Sequence, residues 1–167
     1  MRLDKKMILL GVDPGLQVCG YAVIRREGSD DKLLEAGVIR TDGDKSLEER
    51  LGQIAGDFST LLEKFNPKMV AVEELYAHYK HPRTAILMGH ARGVILQLSA
   101  SAGAQVRHFS ATRVKKSLTG NGRAGKGQMQ RAIQSTLGLP QIPEPPDVAD
   151  AIAVALCCAN EQNRVKI

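Results

Sequence analysis

Two short apolar runs, each closed by a carboxylate, constrain the fold of this chain more than any other feature. Met7–Asp13 reads MILLGVD, and residues 68–74 read KMVAVEE. Runs of this length and composition are typical of strands buried on both faces of a sheet. Between them, the sequence at 47–65 carries apolar residues at three- and four-residue steps, as in an amphipathic helix. We therefore expect two parallel strands joined by a helical crossover.

The remaining pattern predicts a mixed sheet. Strand-type residues at 20–25 and 33–40 flank a polar turn at 27–31. Downstream, we expect a helix at about 84–102, a strand at 105–109, short helices around 113–116 and up to 137, and a last helix over 147–160. An antiparallel half followed by a parallel half predicts an α/β, ribonuclease-H-like fold, with a five-stranded mixed sheet of order 3-2-1-4-5 flanked by helices.

Length and charge narrow the class of protein. The 167 residues suit one domain over 1–167, with short tails at 1–6 and 161–167. The net charge of +5 suits a polyanionic partner such as nucleic acid. Three cysteines without metal-type spacing are expected to be reduced core thiols. No targeting or membrane segment is apparent, so we expect a cytoplasmic protein without membrane contact.

Four carboxylates fall where a two-metal phosphodiesterase needs them. Asp13 and Glu73 end neighbouring strands, and Asp147 and Asp150 lie three residues apart at the start of the last helix, on nearly one face. Clustered Asp and Glu supply the hard oxygen ligands that Mg²⁺ requires. Two such ions can stabilise both the attacking and the leaving oxygen of a phosphodiester hydrolysis.

Each acid also has a structural interpretation. Asp147 and Asp150 could complement a helix dipole, and Asp13 before Pro-Gly could be a turn residue. Glu73 has no comparable local role. The four acids together favour a metal site, with two Mg²⁺ ions and Mn²⁺ as a substitute.

At this point the sequence resembles the RuvC family of Holliday-junction nucleases. The resemblance runs from residue 7 to about 160 and is carried, in order, by GVDPGLQVCGYAVIR, KMVAVEELY, GHARGV, TRVKKSLTGNGRAGKGQMQ and PPDVADAIAVA. It implies catalytic, metal-binding roles for Asp13, Glu73, Asp147 and Asp150. The position of Asp147 is histidine in some relatives. The resemblance further implies four-way junction DNA as substrate and the RuvA and RuvB branch-migration proteins as partners.

A basic segment follows the predicted fifth strand. Arg113, Lys115, Lys116, Arg123 and Lys126 are candidates for DNA binding, because lysines and arginines facing phosphates supply sequence-independent affinity. The glycine-rich stretch 120–127 could present backbone N–H groups to a phosphate. The family resemblance points to Lys115 and Lys126 as phosphate contacts near the site. A solvated surface is the alternative interpretation of this segment.

Tyr76 follows Glu73 and is a further candidate for DNA binding, since an exposed ring could stack on an unpaired base; a ring packed at the rim of the core is the alternative. Cutting two opposed strands requires two sites, so we expect a homodimer. Its interface is predicted on the helix at 84–102, from the apolar residues Ile86, Leu87, Ala91, Val94, Ile95 and Leu98. Two functional alternatives remain: a related nuclease acting on RNA or recombination ends, and a non-catalytic DNA-binding module.

Overall fold

The computed structural model describes residues 6–75 and 80–164, with side chains as far as residue 162. Five strands form a single sheet: β1 (Met7–Asp13), β2 (Val18–Glu27), β3 (Asp30–Arg40), β4 (Met69–Glu73) and β5 (Gln105–Phe109). Five helices surround it: α1 (Leu47–Phe65), α2 (Pro82–Ser101), α3 (Ala111–Thr119), α4 (Lys126–Leu137) and α5 (Pro146–Arg164).

The sheet order is β3-β2-β1-β4-β5, as predicted. Strand β1 lies at the centre, antiparallel to β2 and parallel to β4. Strand β5 extends the parallel half. The β2–β3 hairpin is longer than the sequence indicated, because its turn contains only Gly28 and Ser29, with Gly28 at a φ of 63°. The predicted ribonuclease-H-like arrangement is confirmed.

Helices cover both faces of the sheet. Leu10 and Val12 of β1 pack against α1 and α2 in one core, and Leu9 packs against α3, α4 and α5 in the other. Successive side chains of a strand point to opposite faces, so Gly11 and Asp13 face the same side as Leu9. This alternation directs the carboxylate of Asp13 to the face that α5 covers.

Local sequence explains where the helices begin. Ser46 and Glu49 form a reciprocal capping box before α1. Gly125 precedes α4, and the side chain of Gln128 accepts a hydrogen bond from the Gly125 N–H at 3.0 Å. The helix therefore begins at Lys126, which the sequence placed in a glycine-rich loop.

Helix α5 is buried along most of its length and reaches Arg164, beyond the predicted end at residue 160. Residue Glu161, assigned to a tail by the sequence, belongs to this helix and pairs with two arginines. The apolar side of α5 is buried, as shown by Val148, Ile152, Ala155, Leu156 and Ala159.

Two glycines allow α5 to lie directly on the sheet. A Cβ atom at Gly11 would stand 2.2 Å from the carbonyl oxygen of Ala151, and one at Gly20 would stand 2.1 Å from that of Asp147. Any larger residue at either position would push the helix away from the strands. The first turn of α5 therefore sits against β1 and β2, beside Asp13.

Cys19, Cys157 and Cys158 are all buried and none of them forms a disulfide, which confirms the expectation of reduced core thiols. Burial raises the pKa of Cys19 and of Cys158 to about 12, so both remain protonated thiols at neutral pH. Within the described residues, no helix is long and apolar enough to span a membrane.

The contact between Gly11 and α5 predicts opposite effects for two glycine substitutions. Gly11→Ala should destabilise the protein by about 1–3 kcal/mol, because the added methyl overlaps the Ala151 carbonyl. Gly52 lies on α1, and no atom of the part of the chain that the structure describes is within 4 Å of a Cβ added there. Gly52→Ala should therefore stabilise the protein by about 0.5–1 kcal/mol through helix propensity. Urea denaturation measures both, and equal effects would contradict the packing described.

Candidate active site

The carboxyl ends of β1 and β4 bring two of the predicted acids together. The register pairs Val12 with Val72, so Asp13 and Glu73 each follow directly at neighbouring strand ends. Glu73 alternates with Val72, which belongs to the α1–α2 core, and therefore faces α5 as Asp13 does. The two carboxyl groups are close enough that protonated Asp13 can donate a hydrogen bond to Glu73.

The first turns of α5 supply the other two acids. Asp147 and Asp150 lie three residues apart, which places them on one side of the helix. The contact of Gly20 with the Asp147 backbone fixes this turn above the sheet. All four predicted acids therefore gather where β1, β4 and α5 meet.

The electrostatics of the cluster show mutual repulsion. The pKa of Asp13 is raised from 3.8 to about 8, first by burial and then by the charges of Glu73, Asp150 and Asp147. A carboxyl group with such a pKa is mostly protonated at neutral pH, and its O–H can donate to the carboxylate of Glu73. The proton offsets part of a negative charge that the protein has concentrated in one place.

Two lysines oppose this repulsion. Burial, followed by the charge of Asp150, raises the pKa of Glu73, and Lys115 acts to lower it. Asp150 as a whole residue is exposed, yet its carboxyl group is partly desolvated. This desolvation, followed by the charge of Asp147, raises the pKa of Asp150, and Lys126 and Lys115 act to lower it. Both lysines that the sequence singled out therefore lie beside the acids.

Two cavities open beside the cluster, and the acids are divided between them. The first, of about 370 Å³, contains Glu73, Asp150, Lys115 and Lys126 in a wall formed by α3, α4 and α5. The second, of about 520 Å³, contains Asp13 and Asp147 together with the β1–β2 loop and parts of α1 and α2. Among the residues that the structure describes, the two cavities have no lining residue in common.

The donor chemistry of the cluster suits a hard divalent cation, since its side chains offer carboxylate oxygens and neither imidazole nor thiolate. Among the described residues, no three His, Cys, Asp or Glu side chains are close enough to form a complete ligand set by themselves. The acids nevertheless act on one another electrostatically, since the charges of the other three raise the pKa of Asp13.

The other predicted DNA contacts are placed differently. Arg113 on α3 forms an ion pair with Glu161, and its guanidinium lies 5.2 Å from the centre of the Phe109 ring. Its charge is thus already engaged within the protein. Lys116 and Arg123 are exposed and are not among the residues that line the first cavity. Tyr76 lies outside the described residues.

Sequence reasoning missed an arginine that holds the end of β4. The Nε atom of Arg92 on α2 donates a hydrogen bond to the carbonyl oxygen of Glu73 at 3.1 Å. Its Nη2 atom lies 2.6 Å from Nδ1 of His108 on β5, which must accept because a guanidinium only donates. A partly buried arginine on a mostly apolar helix, within the GHARGV stretch, was the available signal.

The raised pKa of Asp13 predicts how stability varies with pH. Between its ordinary value of 3.8 and the folded value of about 8, the folded protein binds a proton that the unfolded chain has released. In EDTA, the free energy of unfolding should therefore be highest at low pH within this window and fall as the pH rises, by at most about 1.4 kcal/mol per pH unit from this group.

Asp13→Asn should reduce that decline when urea denaturation is repeated across the same pH range. The matched control is Asp57→Asn, which removes an exposed carboxylate of α1 and should leave the decline in place. An Asp13→Asn protein with the wild-type pH dependence would contradict the electrostatics described.

Comparison with known proteins shows the family to which this chain belongs. A sequence model of the family described as crossover junction endodeoxyribonuclease RuvC matches residues 9–158. A relative of that name from Rhodopirellula baltica is 53% identical over 89% of this chain and 84% of its own. One from Heliobacterium modesticaldum is 42% identical, over 92% of this chain and 94% of its own.

Among solved structures, T. thermophilus RuvC in complex with Holliday junction substrate aligns with a TM-score of 0.90 and 32% identity, covering 95% of this chain and 96% of that one. The stretch matched by the family model contains all four acids and both lysines beside them. The family model, the curated relatives and the solved structure therefore agree, and the chain belongs to the RuvC family of crossover junction endodeoxyribonucleases.

Proposed function

We propose that this protein resolves four-way DNA junctions as a homodimer, each protomer hydrolysing one phosphodiester bond at the cluster of Asp13, Glu73, Asp147 and Asp150. The observation that carries the proposal is the convergence of these acids at two strand ends and one helix start, with Lys115 and Lys126 beside them. A module that only bound DNA would gain nothing from buried carboxylates, since they repel the phosphate backbone.

Nucleases of this family depend on metal ions, and the acids are the groups that would hold them. Two Mg²⁺ ions, or Mn²⁺ in their place, would supply the charge that stabilises the attacking and leaving oxygens. Asp13, Glu73 and Asp150 are the strongest candidates for ligands. Asp147 is the fourth candidate, because its charge acts on both Asp13 and Asp150.

The lysines would bind and orient the substrate. Lys115 and Lys126 line the same cavity as Glu73 and Asp150, so a phosphate held there lies next to the acids. Each lysine also lowers the cost of the negative cluster, which Arg113 is less able to do because it is paired with Glu161. Lys116, Arg123 and Tyr76 remain candidates for contacts further along the DNA.

Helix α2 offers a surface for the proposed dimer. Of its predicted apolar interface, Ala91 and Ile95 are buried in the protomer, whereas Ile86 keeps 63% of its surface exposed. Gly93 is exposed on the same side, and the space beside it is open, since no atom of the neighbouring described residues lies within 4 Å of a Cβ built at this position. A second copy could therefore approach this helix closely. Cooperation with RuvA and RuvB stays a prediction from the family.

The acids should be required for cutting and dispensable for binding. Asp13→Asn, Glu73→Gln and Asp150→Asn should each abolish cleavage of a synthetic four-way junction in Mg²⁺, while junction affinity in Ca²⁺ or EDTA stays within a few-fold of wild type. Asp147→Asn should be slowed. Gel assays of cleavage and fluorescence anisotropy measure the two properties separately.

Asp57→Asn, which removes an exposed acid far along α1, serves as the control and should cut normally. Matched duplexes and RNA–DNA hybrids test the alternative substrates. If Asp13→Asn cut at the wild-type rate, the assignment of the site would be wrong. Preferential cutting of the hybrid would favour the ribonuclease alternative.

The dimer is tested on the exposed face of α2. Gly93→Arg should convert a dimer to a monomer in sedimentation experiments, and should replace paired cuts by single nicks, because a bulky cation blocks close approach. Gly56→Arg, at an equally open position on α1, should leave both properties unchanged. A wild-type protein that sediments as a monomer on junction DNA and still makes paired symmetric cuts would refute the dimer.

A further inference from the structure

The second cavity lies on the Asp13 and Asp147 side of the cluster, and Arg50 is the one cationic side chain among its lining residues in ranges 6–75 and 80–162. Arg50 of α1 lines this cavity together with Thr84 and Leu87 of α2. DNA whose scissile phosphate lies at the acids must continue past them on both sides. The Lys115 and Lys126 cavity provides positive charge on one side, and Arg50 is the corresponding group on the other.

The guanidinium of Arg50 is held in place by neutral partners. Its Nε atom donates to Oγ1 of Thr41 at 2.9 Å, and its Nη2 atom donates to Oε1 of Gln17 at 2.7 Å. The Thr41 hydroxyl in turn donates to the carbonyl oxygen of Leu16 at 2.6 Å. This network joins the start of α1 to the loop that follows Asp13, so the arginine is oriented before any ligand arrives.

The charge of Arg50 is not neutralised within the part of the chain that the structure describes. None of the ion pairs there includes Arg50, whereas the arginines at 25, 26, 107 and 113 are all paired. The guanidinium has five N–H donors, and its hydrogen bonds to described residues involve only Nε and Nη2. The donors on Nη1 are available to an anion.

We propose that Arg50 binds a backbone phosphate of the cleaved strand, on the opposite side of the scissile phosphate from the one bound by Lys115 and Lys126. A planar guanidinium that is already oriented and has unused N–H donors suits the oxygens of a phosphate, which the nearby carboxylates alone would repel. This inference rests on the proposed nuclease function and adds a second anchor, so that the strand is held on both sides of the acids.

The test combines protein variants with junction DNA in which a single phosphate has been replaced by a neutral group. Junctions carrying one methylphosphonate at successive positions around the cleavage site are titrated with wild type, Arg50→Gln and Lys126→Gln in Ca²⁺. At one position, neutralisation should weaken wild-type binding about tenfold and should add nothing for Arg50→Gln. For Lys126→Gln, the insensitive position should lie on the other side of the scissile phosphate.

Salt titration provides a second readout. Arg50→Gln and Lys126→Gln should each reduce the slope of log K against log salt by about 0.9. Lys32→Gln removes an exposed charge at the opposite end of the sheet and should leave the slope unchanged. Thr41→Val removes a hydrogen bond that orients Arg50 but keeps its charge, so the slope should persist while cleavage slows.

Two results would overturn the inference. If Arg50→Gln lowered the urea midpoint and the cleavage rate but kept the wild-type sensitivity to every methylphosphonate, Arg50 would only support the loop after Asp13. If Arg50 and Lys126 coupled to phosphates on the same side, the two-sided arrangement would be wrong. Failure of the wild type to bind or cut junctions would instead refute the proposed function, which separates the two cases.

Discussion

The close contact between α5 and the centre of the sheet is the constraint on which the site depends. The helix brings Asp147 and Asp150 to the ends of β1 and β4 only because no side chain intervenes at Gly11 or Gly20. Small residues along α5 serve the same end, since most of the helix is buried between the sheet and α3 and α4. The absence of side chains at these two glycines therefore allows both the close packing of α5 on the sheet and the placement of its two acids at the site.

The site combines four carboxyl groups with two nearby lysines in a partly buried position. Carboxylates from three elements act on one another, and burial adds to the cost of ionising them. Lysines from α3 and α4 offset part of the repulsion, and Arg92 fixes the backbone of Glu73 from the other face of the sheet. The acids are held by their elements rather than by mutual attraction, so the arrangement must come from the fold.

The sequence predicted much of this arrangement because the signals were local. Apolar runs closed by Asp13 and Glu73 revealed neighbouring strand ends, and the spacing of Asp147 and Asp150 revealed a shared helix face. Strand order followed from the alternation of hairpins and helical crossovers, and it is confirmed. The roles of the four acids remain predictions.

What the sequence could not show depends on contacts between distant segments. A run of basic residues does not reveal that Arg113 pairs with Glu161 on the last helix. Arg50 resembles any solvated charge on an amphipathic helix until Thr41 and Gln17 are seen around it. Helix α4 starts at Lys126 because the Gln128 side chain accepts a hydrogen bond from the Gly125 N–H. The glycines around this position had instead indicated a loop.

The raised pKa of Asp13 has an evolutionary consequence. A carboxyl group that is hard to ionise where it stands opposes the folding of the protein that contains it, and an amide of the same shape would relieve the repulsion. Selection for activity and selection for stability thus act in opposite directions at this position. In a lineage released from the need to cut DNA, selection for stability would favour replacement of the acids while the fold is kept. The result would be a well-folded descendant that no longer cleaves DNA.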